Sequence, residues 1–209
     1  QSRLLSYNCS DDTISDSTSL TVVFDLALST DYFSPSNYSL GIQTANRLIN
    51  LTDSNKTEIS LTSFDYRSFL NREFTYRRSI VLNELNLLKP VAGSLFDAAF
   101  FLEPAGAFKI NSRSKHSKSI ILITDGGGLY REAELLKSIA ETGAKLFIIL
   151  INKPDNQSLK NAANSSGGWL FTIDNISDIN PVVYSVLAMS KGHKPCRLSW
   201  EMDYTCDDK

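Results

Sequence analysis

The sequence predicts an α/β protein with a doubly wound, mostly parallel central sheet flanked by helices, and two observations carry that expectation. First, Leu20-Thr21-Val22-Val23-Phe24-Asp25 and Ser119-Ile120-Ile121-Leu122-Ile123-Thr124-Asp125 are short apolar, β-branched runs that stop at a carboxylate followed by turn residues. Such runs read as central strands buried on both faces. Second, helical and strand patterns alternate strictly from Tyr130 onward, which requires crossover connections over a parallel sheet. Ligands of such sheets sit outside the carboxyl ends of the strands. Asp25 and Asp125 are therefore expected on one sheet edge, where carboxylates with hydroxyls beside them suggest an oxygen-only cation site.

The elements follow in order. Residues 1–18 are polar, with Asp11, Asp12 and Asp16 among serines, and read as an extended lead-in. The main domain is expected over 19–190. After the Asp25 strand, Leu40, Ile42, Ala45, Leu48 and Ile49 recur at helical spacing within 38–51, with Ser36 or Asn37 as a cap. Ile59, Leu61 and Phe64 alternate with polar residues over 56–64, a strand expected near the sheet edge. The aromatic segment after it has no clear period. Residues 76–88 read as a helix halted by Pro90, and 95–102 as a helix apolar on all sides and so buried. Residues 104–118 are polar and glycine-containing and read as a surface loop.

Beyond the Asp125 strand come a helix over 130–142 stopped by Gly143, a strand over 144–151, a helix over 156–163, a strand over 169–173 and a helix over 176–189. Trp169 and Phe171 on the fourth of these are expected in the core. The tail, 191–209, breaks the alternation and carries Cys196, Trp200 and Cys206. It reads as the possible start of a following β-rich domain.

Composition narrows the function classes. The 209 residues are 42% hydrophobic, enough for one sizeable core, and the formal net charge of -2 is not that of a nucleic-acid binder. Arg67, Arg72, Arg77 and Arg78, interspersed with Tyr66, Phe69, Phe74 and Tyr76, read as a solvated face beside core aromatics. No apolar run is long enough to span a bilayer. The chain begins at Gln1 without a basic, apolar leader, so an export signal is expected to have been removed or not included.

Seven Asn-x-Ser/Thr triplets begin at Asn8, Asn37, Asn50, Asn55, Asn156, Asn164 and Asn175. Chance gives roughly three for this composition, and the excess favours an extracellular or cell-surface glycoprotein. Cys9, Cys196 and Cys206 lie only at the chain's edges, with spacing too open for a zinc knuckle. A disulfide from Cys9 to either Cys196 or Cys206 is expected, leaving one thiol for a partner.

Gly126-Gly127-Gly128 occupies the place of a phosphate cradle, yet no dinucleotide fingerprint or Walker lysine accompanies it. A loop rim is the simpler reading. No nucleophile elbow is present, and His116 and His193 fall in a polar loop and in the tail, so the chain is not expected to be an enzyme.

Over about 19–190 the chain resembles the von Willebrand factor A domain family. The resemblance rests on Ile123-Thr124-Asp125-Gly126, on the helix, Gly143 and strand that follow, on Gly93-Ser94-Leu95 where the family presents a threonine, and on Asp25-Leu26-Ala27-Leu28-Ser29 where it has Asp-x-Ser-x-Ser. It implies a metal-ion-dependent adhesion site of Asp25, Ser29, Ser94 and Asp125. There Mg²⁺ (or Mn²⁺) is held by oxygens, with one position open for a carboxylate of a protein partner. Mg²⁺ requires six oxygens at about 2.0–2.1 Å. Ala27, which replaces a ligand serine, offers none. Two functions are thus expected: an extracellular adhesion or ligand-recognition module, or a metal-free structural domain of a larger secreted protein. In the second, the aspartates accept hydrogen bonds from loop N–H groups.

Overall fold

A computed structural model describes residues 2–8, 14–28, 36–153, 156–194 and 197–202. The chain opens with β1 (Ser2–Asn8), followed by β2 (Thr18–Asp25), which is buried at every position. Helix α1 (Ser36–Leu51) places Leu40, Ala45, Leu48 and Ile49 against the sheet and leads to β3 (Thr57–Phe64), again buried throughout. Then come β4 (Ser68–Thr75), α2 (Arg78–Leu87), α3 (Phe96–Phe100), α4 (Ala107–Asn111) and β5 (Ser117–Thr124). Helix α5 (Glu132–Thr142) stops at Gly143, whose φ of 64° is the left-handed conformation that glycine adopts without steric cost. The chain continues through β6 (Lys145–Ile151), α6 (Gln157–Ser165), β7 (Trp169–Ile173), α7 (Ile176–Ser190) and β8 (Arg197–Met202).

Six strands form the central sheet in the order β4-β3-β2-β5-β6-β7, all parallel except β4. Successive side chains of a strand face opposite ways, and this alternation divides the core in two. Leu20, Val22 and Phe24 of β2 join Ile121 and Ile123 of β5 under α1, α2 and α7. Val23, Ile120 and Leu122 face the other layer, with Phe96 and Phe100 of α3, Leu135 of α5 and Leu159 of α6. The predicted doubly wound α/β fold is therefore the observed one.

Several details differ from the sequence-based expectation. The aromatic segment after Phe64 is the edge strand β4, so β3 lies one strand in from the edge. Its ladder with β3 shifts register twice and most of its residues are half-buried, which blurs the two-residue period. The aromatics of this stretch lie at the margin of the core: Tyr66, just before β4, is 59% exposed, Phe74 is half-buried, and half-buried Phe69 packs against the core. The arginines there are engaged within the chain, Arg67 over the Phe69 ring at 5.3 Å and Arg72 with Glu84 at 2.6 Å.

Residues 104–118 are not a surface loop. They contain α4, with Ala107, Ile110 and Asn111 all fully buried, and the first two residues of β5. Asn111 is the polar residue that disguised it. Its Nδ2 donates to Thr21 Oγ1 at 3.0 Å and to the Ser119 carbonyl at 3.3 Å, so its N–H groups are bonded within the protein rather than solvated.

The termini form a unit of their own, because β8 pairs antiparallel with β1, Asn8 opposite Arg197. The lead-in is thus a strand, and the tail returns to it as its partner. Cys9, Cys196 and Cys206 lie outside the described residues. At the far edge Trp169 is 42% exposed, a departure from its expected core position. It begins β7, an edge strand, and lines an apolar cavity of about 340 Å³ with Phe171, Ala188, Met189 and His193. Among the described residues no helix is long and apolar enough to cross a membrane.

Candidate functional site

The strand register creates the site. Phe24 of β2 pairs with Ile123 of β5, so Asp25 and Thr124 are the next residues on adjacent parallel strands. Both face the α3 layer, by alternation from Val23 and Leu122. Asp25 is completely buried. Its Oδ2 accepts the Thr124 hydroxyl at 2.6 Å and the Ser94 hydroxyl at 3.4 Å, and its Oδ1 accepts the Ala27 backbone N–H at 2.9 Å.

Three further loops are tied to this point by backbone hydrogen bonds. The Leu26 N–H donates to the Phe64 carbonyl at 3.0 Å and the Val91 N–H to the Leu26 carbonyl at 2.9 Å. The Leu95 N–H donates to the Asp65 carbonyl at 3.0 Å, and the Phe96 N–H to the Leu129 carbonyl at 3.2 Å. The segments after β2, after β3, before α3 and after β5 thus form one connected edge. Beneath it, Phe96 packs at 6.0 Å from the rings of both Phe64 and Tyr130, an aromatic floor that fixes the loops' height.

Burial pushes the Asp25 carboxyl up from its ordinary 3.8 to about 6. The neighbouring Asp125 charge adds to the rise, against hydrogen bonds from Thr124, Ala27 and Ser94 that favour the ionised form. None of the groups acting on it is a cation. Asp125 is half-buried, and its Oδ1 accepts the Gly127 N–H at 3.1 Å. Among the described residues the edge therefore concentrates negative charge and hydroxyl oxygen, and no positive charge acts on Asp25.

Of the residues expected at the site, Ser94 reaches Asp25 through its hydroxyl and Asp125 acts on it through its charge, while Ser29 lies outside the described residues. Ala27 holds its side chain buried and contributes its N–H to Asp25. Thr124 was missed as a contributor in its own right. The available signal was register, since two strands ending at matched carboxylates place the residue before one beside the other. The Gly126–Gly128 segment is a rim: a Cβ on Gly128 would come within 2.7 Å of the Phe96 ring, so its smallness serves packing. His116, by contrast, precedes β5 at the opposite pole, where its ring meets the Tyr76 hydroxyl at 2.8 Å.

Asp25, Ser94, Thr124 and Asp125 offer oxygen only, which matches a small hard divalent cation better than a thiophilic one. The unbalanced carboxylates fit such an ion, which would have to share Asp25 Oδ2 with its present hydroxyl partners. Among the described residues no cluster of three or more histidine, cysteine or acidic side chains is placed to hold a metal. Any ion here depends on hydroxyls and water for much of its shell.

The fold is von Willebrand factor A-like, as the similar solved structures show. No family model matches the chain, and no curated protein matches it by sequence. Among solved structures it is similar to BatB of Bacteroides thetaiotaomicron, with a TM-score of 0.65 at 14% identity over 84% of this chain and 100% of that one. It is similar to a von Willebrand factor type A protein of Catenulispora acidiphila, with a TM-score of 0.68 at 16% identity over 85% of this chain and 43% of that one. Proximal thread matrix protein 1 of the mussel byssus, solved with a zinc-occupied metal-ion-dependent adhesion site motif, superposes with a TM-score of 0.63 at 17% identity over 94% of this chain and 50% of that one. At these identities the likeness establishes the fold.

Proposed function

We propose that this chain is a non-enzymatic adhesion or assembly module of a larger extracellular protein. It recognises a protein partner through the edge formed by Asp25, Ser94, Thr124 and Asp125, with Ser29 as a further ligand and Mg²⁺ or Mn²⁺ bridging to a partner carboxylate. One observation carries this reading: a wholly buried carboxylate, at the carboxyl ends of the strands, accepts two hydroxyls and feels the Asp125 charge, and among the described residues no cation acts on it. Neutral hydroxyls complete an ion's shell without cancelling its charge, so the ion stays attractive to an acidic partner. The mussel matrix protein with its metal-occupied motif, and the von Willebrand factor domain of a pilus tip protein of Porphyromonas gingivalis, are similar folds in a matrix and at a surface.

A second reading has its own observation. Both oxygens of Asp25 already accept hydrogen bonds, one of them from the Ala27 backbone N–H, and the Ala27 side chain supplies no oxygen. This describes a metal-free edge that fixes loops, in a domain that joins its neighbours by shape alone. The two readings part under chelation. With the protein immobilised and its carboxylate-bearing partner in solution, the first expects binding to fall at least tenfold on adding EDTA and to return with Mn²⁺. It also expects Asp125→Ala to abolish that return. Binding indifferent to chelator and to the substitution supports the second.

A further inference from the structure

The central sheet ends in two edge strands that differ in kind. At the β4 edge the ladder shifts register twice, and Arg72 and Glu73 carry charge that pairs with Glu84 and Arg113. Bulges and charges of this sort keep an edge from pairing with another chain. The other edge, β7, reads Trp169-Leu170-Phe171-Thr172-Ile173, without charge, proline or register shift.

Backbone parity defines what β7 offers. The Asn152 N–H donates to the Ile173 carbonyl at 3.0 Å, so the backbone groups of Trp169, Phe171 and Ile173 point toward β6. Those of Leu170 and Thr172 point away from the sheet, and among the described residues no hydrogen bond reaches them. The outward N–H groups on either side are already held: that of Gly168 by the Ala163 carbonyl at 3.1 Å, that of Asp174 by Asp178 Oδ2 at 3.1 Å.

A second copy of β7 fits this stretch in one register. Antiparallel pairing about a two-fold axis, with Phe171 opposite the second copy's Phe171, sets Leu170 opposite Thr172 in both halves, and each such pair exchanges two N–H···O=C bonds. A shift by one residue turns the outward groups away from each other, and a shift by two calls on the occupied Gly168 or Asp174 N–H. On the α7 side this register sets exposed Trp169 against the second copy's Ile173 and brings the two Phe171 rings to the axis, extending the apolar lining of the cavity beside α7 across both copies.

Charge selects the antiparallel sense. Around the start of β7 lie Lys194, Lys191 at the end of α7, and Lys145, whose Nζ donates to the Met189 carbonyl at 3.0 Å; the Ser15 N–H bond to the Lys191 carbonyl brings Asp16 to the same end. Around the end of β7 the described charges are Asp174 and Asp178, with Lys153. Cations predominate at the first end and carboxylates at the second, so antiparallel copies bring opposite signs together and parallel copies bring like signs together.

We propose that the chain forms a two-fold dimer through β7, joining two six-stranded sheets into one. The strands of the two copies then run in opposite directions, so the dimer presents one Asp25 edge at each end and can bridge two partners. The pairing uses no group of the Asp25 edge and holds with or without an ion there.

Sedimentation equilibrium of the chain in EDTA, with residue-resolved amide exchange at several protein concentrations, tests the dimer apart from the cation site. A reversible monomer–dimer equilibrium is expected, in which the Leu170 and Thr172 amides gain protection with concentration while those of Phe171 and Ile173, which face β6, change little. Thr172→Pro removes one outward N–H per copy and spares the β6 ladder, so it should weaken the dimer at least about tenfold with the circular dichroism spectrum unchanged. Asp174→Lys should weaken it as well, by setting like charges against each other. A chain that stays monomeric at millimolar concentration overturns the proposal and leaves this edge to a strand of another protein. A dimer without concentration-dependent protection at Leu170 and Thr172 overturns it too, because the copies then meet through another face.

Discussion

Asp25→Asn is expected to stabilise the cation-free protein at pH 7 by about 2 kcal/mol, although it alters a wholly buried polar group of the edge. The Asp25 carboxyl rises from 3.8 to about 6 on folding, chiefly through burial. A folded-state value above the unfolded one means that the folded protein binds the proton more tightly. The corresponding stability is fully present below pH 3.8 and is lost as pH rises through about 6. At neutral pH the buried charge therefore costs about 3 kcal/mol, at about 1.4 kcal/mol per unit. Asparagine removes that charge and keeps an oxygen for the Ala27 N–H. The Thr124 hydroxyl loses its acceptor, which offsets about 1 kcal/mol. Urea unfolding in EDTA measures the difference. The gap between variant and wild type should be largest near pH 7 and vanish or reverse near pH 4, whereas a variant equally destabilised at both would show that Asp25 is a neutral loop acceptor.

Phe96→Ala is expected to cost about 3–5 kcal/mol, the range for a fully buried aromatic whose cavity the surroundings only partly refill. The position matters beyond its volume. Phe96 lies two residues after Ser94, donates its N–H to the Leu129 carbonyl and lies against Phe64, Phe100 and Tyr130. It therefore supports both the segment bearing Ser94 and the one that follows Asp125. Urea unfolding should show the loss, and amide hydrogen exchange should rise over 94–96 and 126–130 before the rest of the sheet opens. A loss below 1 kcal/mol, or exchange unchanged at those amides, would mean that the loops hold their positions without the aromatic floor.

The sequence was most legible where burial was most complete. The β2 and β5 runs, whose residues from Leu20 to Asp25 and from Ser119 to Thr124 all lie in the interior, needed no tertiary information to be read as central strands. Legibility failed where one element presented mixed chemistry. β4 is an edge strand whose half-buried aromatics alternate imperfectly with arginines held by Glu84 and by the Phe69 ring. α4 has a buried asparagine whose Nδ2 bonds Thr21, far away in sequence, and no local pattern announces such a bond. The pairing of β8 with β1 joins the two ends of the chain, a contact invisible to periodicity.

The site shows the same division. Asp25 and Asp125 could be placed from strand ends alone, and Ser94 from a resemblance. Thr124 became a participant only once the register of β2 against β5 set its hydroxyl on Asp25. The role of Ala27 also changed with the structure. By sequence it is a missing oxygen; in the fold its N–H holds the first carboxylate in place.

Calorimetric titration of the chain with Mg²⁺ and Mn²⁺ at pH 7.5, with Asp25→Ala and Ser94→Ala as controls, tests most directly whether this edge is a cation site. A saturable heat for one ion per chain is expected, lost in Asp25→Ala and weakened in Ser94→Ala. A thermal upshift should accompany it, equivalent to about 2.7 kcal/mol when the ion is at a hundred times its Kd. No saturable heat up to millimolar ion, or heat that persists undiminished in Asp25→Ala, would contradict the account and leave Asp25 as the acceptor that holds the loops together.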